Sequence, residues 1–270
     1  MKYIVYILLF FPVWVTAQTY KYIGIEDGLS NRRIFNIQKD AQGYMWFLTN
    51  EGMDRYNGKD IKHYKLNKEG NTLDAPIRLG WLYTEPHIGI WVIGKQGRIF
   101  QYDANKDDFR MVYRLPDTSE TISCGYLDRN NNIWLCRKDT VLLYNIKDAR
   151  IFQFPNVLHS SITAIEQVDE HHFFIATETG VRYVKLENGI LETMPVETLD
   201  YFHAQVSELY FHRQLKRLFI GSFERGVFVY DMNTQEIIRP EADLSDVNIA
   251  RISPLNETEL LIATEGMGVY

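Results

Sequence analysis

Apolar and polar residues alternate in short runs along most of the chain, and turn-forming side chains break the runs about every 8 to 12 residues. A period of two marks half-buried strands, and no long stretch keeps the three-to-four spacing of a helix. In the clearest portion, Ile34 to Lys39, Met45 to Thr49, Met53 to Asn57 and Ile61 to Tyr64 read as four strands. Asp40 to Gly43 and Asn57-Gly58 form turns between them. The expectation is an all-β chain.

This portion returns along the sequence. The run Asp40-x-x-Gly43-x-x-Trp46, then Thr49, Gly52 and Tyr56, is echoed by Gly89-Ile-Trp91 with Gly97 and Tyr102, and by Asp128 to Trp134 with Tyr144. Weaker copies follow: Phe174 to Thr177 with Gly180 and Tyr183, Phe219 to Ser222 with Gly226 and Tyr230, and Leu261 to Thr264 with Gly268 and Tyr270. The anchors Trp46, Trp91, Trp134, Phe174, Phe219 and Leu261 lie 45, 43, 40, 45 and 42 residues apart. A period of this length with four strands per copy is that of a β-propeller blade. The expected blades are 31–66, 77–115, 121–155, 161–198, 205–240 and 248–270: five complete blades plus part of a sixth, in an incomplete seven-bladed ring. Pro76, Pro116, Pro155 and Pro240 fall between copies, where strands end. The anchors read as packing residues between neighbouring blades, and the repeated glycines as turns needing positive φ.

Residues 1–17 have the pattern of a signal peptide. Lys2 precedes an uncharged, mostly apolar stretch from Tyr3 to Val15, and Val15-Thr16-Ala17 places small residues at a cleavage site. About 13 apolar residues are too few for the roughly 20 that span a bilayer. The mature chain, 18–270, is therefore expected to start at Gln18, with no lipid-bearing cysteine, no membrane span and a location outside the cytoplasm.

Composition narrows the function. The formal charge is −6, from 35 acidic and 29 basic residues, which disfavours nucleic acid as a partner. The two cysteines make neither a CxxC pair nor a disulfide scaffold. Cys124 and Cys136 flank one turn, and their pairing depends on strand register. Asp103-x-Asn105-x-Asp107 imitates the start of an EF-hand loop, but Asp108 and Arg114 stand where the glycine and the last acid belong, so it reads as a solvated hairpin turn. His171-His172 lacks a third ligand and reads as structural. No G-x-S-x-G, H-E-x-x-H or phosphate loop occurs. The Asp40 to Trp46 element reads as a hairpin device, although a similar turn occurs in sialidase propellers. No cofactor or metal is expected, and this chain is expected not to be an enzyme.

The stretch from Tyr22 to Asn31, followed by Ile34, Ile37, Asp40, Gly43, Trp46, Thr49, Gly52, Arg55 and Tyr56, resembles the opening of the two-component regulator propeller. No Trp-Asp pair of the WD40 type follows the anchors, which continue Phe47, Val92 and Leu135. The resemblance implies the periplasmic sensor region of a Bacteroides-type hybrid histidine kinase, with two seven-bladed propellers, an immunoglobulin-like domain, a membrane helix and a kinase. It also implies glycan sensing, an oligosaccharide ligand, and a strand at 20–25 that closes the ring on the outside of the last blade. The chain departs from that pattern: it shows no later membrane helix or kinase motif, and Tyr270 falls in the third strand of the sixth copy. It is accordingly read as the N-terminal piece of a longer sensor, whose partner is the remainder of that chain or a second copy. The alternatives are an exported propeller enzyme acting on sugars or lactones, and a truncated gene remnant. The loops expected to carry the ligand hold Arg33, Arg78, Lys95, Arg137, Arg225 and Arg251, whose cationic side chains, the arginine forks above all, suit an anionic glycan.

Overall fold

The computed structural model describes residues 21–66, 79–117, 120–240 and 244–270. Arg78 and the expected signal peptide lie outside them. The described residues form six antiparallel sheets, five of four strands and one of three, each with its strands in chain order. The first blade consists of Ile34–Lys39, Met45–Thr49, Gly52–Tyr56 and Ile61–Tyr64, from inside to outside. The count among the described residues is thus six blades, where five complete blades plus part of a sixth, in an incomplete seven-bladed ring, were expected. In the sixth, Ile249–Pro254 pairs along its length with Leu260–Thr264, and Gly268–Val269 adds a short third strand.

A bulge near the start of the inner strand recurs in five blades, between Ile34 and Asn36, Leu79 and Trp81, Ile162 and Ala164, Val206 and Glu208, and Ile249 and Arg251. An extra residue bends the strand and re-aims every side chain after it. Residues beyond the bulge consequently occupy matching rungs from blade to blade.

The anchors pack as expected in the first four blades. Trp46, Trp91, Trp134 and Phe174 are all at most 2% exposed. Trp46 meets Tyr102 and Phe109 of the second blade, and Trp134 meets Phe173 of the fourth. Each large ring of this kind withdraws about 150–250 Å² from water. Leu261, on the sixth blade, departs from the pattern at 40% exposed.

The Asp-x-x-Gly/Asn turn holds its tryptophan directly. Asp40 Oδ1 accepts the amides of Gln42 and Tyr44, and Oδ2 accepts the Trp46 indole N–H at 2.7 Å. Asp128 does the same with Asn130, Asn132 and Trp134. Gly226 illustrates the repeated glycine: its φ is +68°, and a Cβ there would lie 1.5 Å from the Leu244 carbonyl oxygen. Both conformation and close approach demand glycine.

The strand expected at 20–25 does not form within the described residues. Ile25–Asp27 is a single 3-10 turn, and Ile23 packs on Leu29, Phe47 and Tyr56 of the first blade. No strand edge from a further blade is present among the described residues to pair with it.

Candidate functional site

The inner strands place two rungs of side chains about the axis. Opposite the anchors stand Gln38, Tyr83, Tyr126, Glu166, Tyr210 and Ser253. Two residues earlier in each strand stand Asn36, Trp81, Cys124, Ala164, Glu208 and Arg251. Glu166 therefore occupies a rung that three other blades give to tyrosine.

That rung stitches blade to blade. Tyr83 donates its hydroxyl to the Gly125 carbonyl at 2.8 Å, and the Tyr126 hydroxyl accepts the Gln167 amide at 3.1 Å. Glu166 faces the Phe211 amide of the fifth blade, with a carboxyl in place of a phenol, and that amide favours its charged form. Burial, and next the neighbouring Glu208, push the Glu166 carboxyl up to about 8. Burial pushes Glu208 up to about 7 against the pull of Arg251. Arg251 Nη1 lies 3.3 Å from Glu208 Oε1, joining the fifth and sixth blades.

These groups border a cleft of about 810 Å³ between the inner strands of the first and sixth blades. Glu166, Glu208, Tyr210 and Arg251 face it, together with Phe35 and Ile37 of the first blade. Phe35 and Ile37 remain 39% and 49% exposed. The cleft offers a guanidinium donor, two carboxyls that titrate near neutrality and an aromatic wall. Such a set hydrogen-bonds hydroxyl-rich ligands as readily as charged ones. Among the described residues no group of three or more His, Cys, Asp or Glu is placed to hold a metal ion.

Of the basic residues expected to bind ligand, Arg251 alone among the described residues borders this cleft. Arg33 is exposed and lies over Phe35, and Lys95 is exposed beside Trp81. Arg137 donates to the Asp117 carbonyl, and Arg225 donates to the His203 carbonyl while lying over Phe228. Cys124 and Cys136 are buried free thiols directly opposite each other. His172 Nδ1 lies 2.9 Å from Asp169 Oδ1, within its own turn.

Asp107 corrects the expectation of a solvated turn. Its carboxylate accepts from Arg55 Nη1 at 2.8 Å, Lys62 Nζ at 2.6 Å and the Tyr64 hydroxyl at 2.7 Å, all on the first blade, and from Tyr102 of its own blade. It is a clamp between blades. Lys62 foremost, then Tyr102, holds its carboxyl well below the ordinary range.

The model of the two-component regulator propeller matches residues 28–51, so the first blade carries a copy of that repeat. The fold is similar to the extracellular domain of a hybrid two component system from B. thetaiotaomicron, with a TM-score of 0.71 at 20% identity. That match covers 92% of this chain and 34% of the other. A one component system ectodomain from B. thetaiotaomicron matches with a TM-score of 0.68 at 18% identity, covering 90% of this chain and 32% of the other. The chain thus spans about a third of the length of either ectodomain. Virginiamycin B lyase from Staphylococcus aureus matches with a TM-score of 0.68 at 15% identity, covering 90% of this chain and 80% of the lyase. At these identities the likeness establishes the propeller fold. No curated protein sequence matches the chain. No helix of the described residues is long and apolar enough to cross a membrane.

Proposed function

We propose that the chain is the ligand-sensing propeller module of an exported two-component sensor, with an oligosaccharide as its ligand and the cleft at Arg251 and Glu208 as its site. The observation that carries this reading is the cleft itself, which joins a guanidinium–carboxylate pair to Glu166, Tyr210 and exposed apolar residues of the first blade. The regulator-propeller repeat at 28–51 and the fold shared with extracellular sensor domains support the sensory role. The leader-like residues 1–17 support export to the periplasm. The natural partner in signalling is the remainder of a sensor chain or a second copy.

An uncharged, hydroxyl-rich glycan suits this cleft better than the anionic one that the basic loops imply. Arg137 and Arg225 are engaged by backbone carbonyls, and two carboxyls border the cleft. Calorimetric titration with neutral, uronate-bearing and sulfated oligosaccharides tests both points. Binding of a neutral member, weakened at least tenfold in Arg251→Met and Glu208→Gln, is expected. A folded protein that binds no member of the set refutes the oligosaccharide reading. The likeness to a lyase keeps an enzyme in view. Turnover of any member, assayed with and without a chelator, would replace the sensory reading by that one.

A further inference from the structure

We propose that Cys124 and Cys136 close as a disulfide in the exported protein, a covalent staple between the first two strands of the third blade. The proposal rests on the export reading only for the source of the oxidant. Its geometry is independent of any ligand.

Register is the first argument. A slip of one residue would put the two thiols on opposite faces of the hairpin, but Cys124 stands directly opposite Cys136. Directly opposed residues of antiparallel strands have Cα atoms about 4.5–5.5 Å apart. That separation falls within the range of about 4.4–6.8 Å that disulfides bridge.

The neighbours are the second argument. At the same two positions the other blades pair Asn36 with Leu48, Trp81 with Ile93, Ala164 with Ala176, Glu208 with Gly221 and Arg251 with Ala263. Blade three alone has thiols at both positions. Both are buried, at 3% and 0% exposure, in a cluster with Trp134, Ile162 and Ile165 that seals the third blade against the fourth. Neither thiol belongs to a metal-binding group among the described residues.

The chemistry sets the order of events. The two thiols give up two protons and two electrons as one S–S bond forms. The electrons reduce an external disulfide, such as oxidised glutathione or an oxidoreductase disulfide, which leaves as two thiols. The attacking species is a thiolate, and it needs access to that oxidant. In the folded protein the interface excludes both, and burial pushes the Cys136 thiol well above its ordinary range. The bond therefore closes while the hairpin forms, before the fourth blade covers it. Once covered, it resists reductants until the blades separate.

The test is refolding of the 270-residue chain from urea, once in a glutathione redox buffer and once in excess reductant, followed by alkylation in urea and intact-mass measurement. We expect no alkylated cysteine after oxidative refolding, a linked peptide pair containing Cys124 and Cys136, and a thermal midpoint about 6–10 °C above that of the reduced chain. The reduced wild type serves as the reference, so the comparison stands even if Cys124→Ala and Cys136→Ala fold poorly. Dithiothreitol should leave the native bond intact and cleave it in urea. Two alkylated cysteines after oxidative refolding, or a bond only between chains, overturns the proposal. A bond in the refolded chain combined with free thiols in protein recovered from cells refutes export and leaves the staple standing.

Discussion

Removing the Asp107 carboxylate should loosen the first blade from the second. Its partners differ in worth. Arg55 is only 17% exposed at its side chain, and Tyr64 is buried, whereas Lys62 is 47% exposed. Hydrogen bonds to a charged group contribute about 1.5–3 kcal/mol when sheltered, and exposed ion pairs about 0–1 kcal/mol. Taken at face value the contacts with Arg55, Tyr64 and Lys62 would total about 3–7 kcal/mol. Water reaches Asp107 itself, 41% exposed at its side chain, and can refill part of what is lost. We therefore expect Asp107→Ala to cost roughly 2–3 kcal/mol, a fall in thermal midpoint of about 5–10 °C.

The charge makes this cost depend on pH. The Asp107 carboxyl sits below its ordinary range in the folded chain, so its contribution is fully present above the unfolded value near 4 and disappears as pH falls through the folded one. The gap between wild type and Asp107→Asn should narrow steadily from pH 5 towards pH 2. Urea unfolding at several pH values measures both effects. A double-mutant cycle with Arg55→Met should show about 1 kcal/mol of coupling. An Asp107→Ala chain within 0.5 kcal/mol of wild type, or a cycle with no coupling, would refute the clamp.

Three further outcomes follow from the same geometry. Glu166 and Glu208 have folded values raised to about 8 and about 7, so the stability they confer as neutral groups is complete below the unfolded value near 4.3 and is lost as pH rises through 7 and 8. Glu166→Gln should flatten the decline of the thermal midpoint between pH 5 and pH 8.5, and an unchanged slope would count against a half-buried, protonated Glu166. Gly226→Ala, which drives a Cβ into the Leu244 carbonyl, should cost more than about 3 kcal/mol or abolish folding. Gly43→Ala, also at positive φ but in open space, should cost only about 1–2 kcal/mol in the same denaturation assay. Trp134→Phe removes the N–H that reaches Asp128 Oδ2 at 2.9 Å, and should cost about 2–3 kcal/mol by urea unfolding, where a loss below 0.5 kcal/mol would discount that bond.

The repeat is legible in the chain because several copies solve the same local problem with the same residues. Asp40 must cap its own turn and hold Trp46, and Thr49 must bond Gly52 to close the next one, so the residues recur at fixed spacing. Asp107 is illegible by that route. Its partners on the first blade lie 43 to 52 residues upstream, and a reading of its own turn sees only acids in water.

The cleft shows where a repeat does reveal long-range contacts. Loops at the same face of a propeller sit far apart on a circle, so a set of basic loop residues does not converge. Arg137 and Arg225 illustrate this, each bonded to a carbonyl close to its own turn. Inner-strand rungs differ, because the axis brings matching positions of successive blades side by side. Strand pairing sets Glu166 on the rung of Tyr83, Tyr126 and Tyr210, and Glu208 on one rung with Arg251, although counting back from the anchors misses the fifth blade, where Tyr210 lies nine residues before Phe219 and the other blades keep eight. A carboxyl on a rung where three other blades have phenols faces a backbone amide of the next blade as Tyr126 does, but it adds a proton that titrates near neutrality. Stitching the fourth blade to the fifth needs only an acceptor, which tyrosine supplies without that sensitivity. The glutamate therefore makes the strength of this one seam respond to the pH and charge of whatever occupies the cleft beside it.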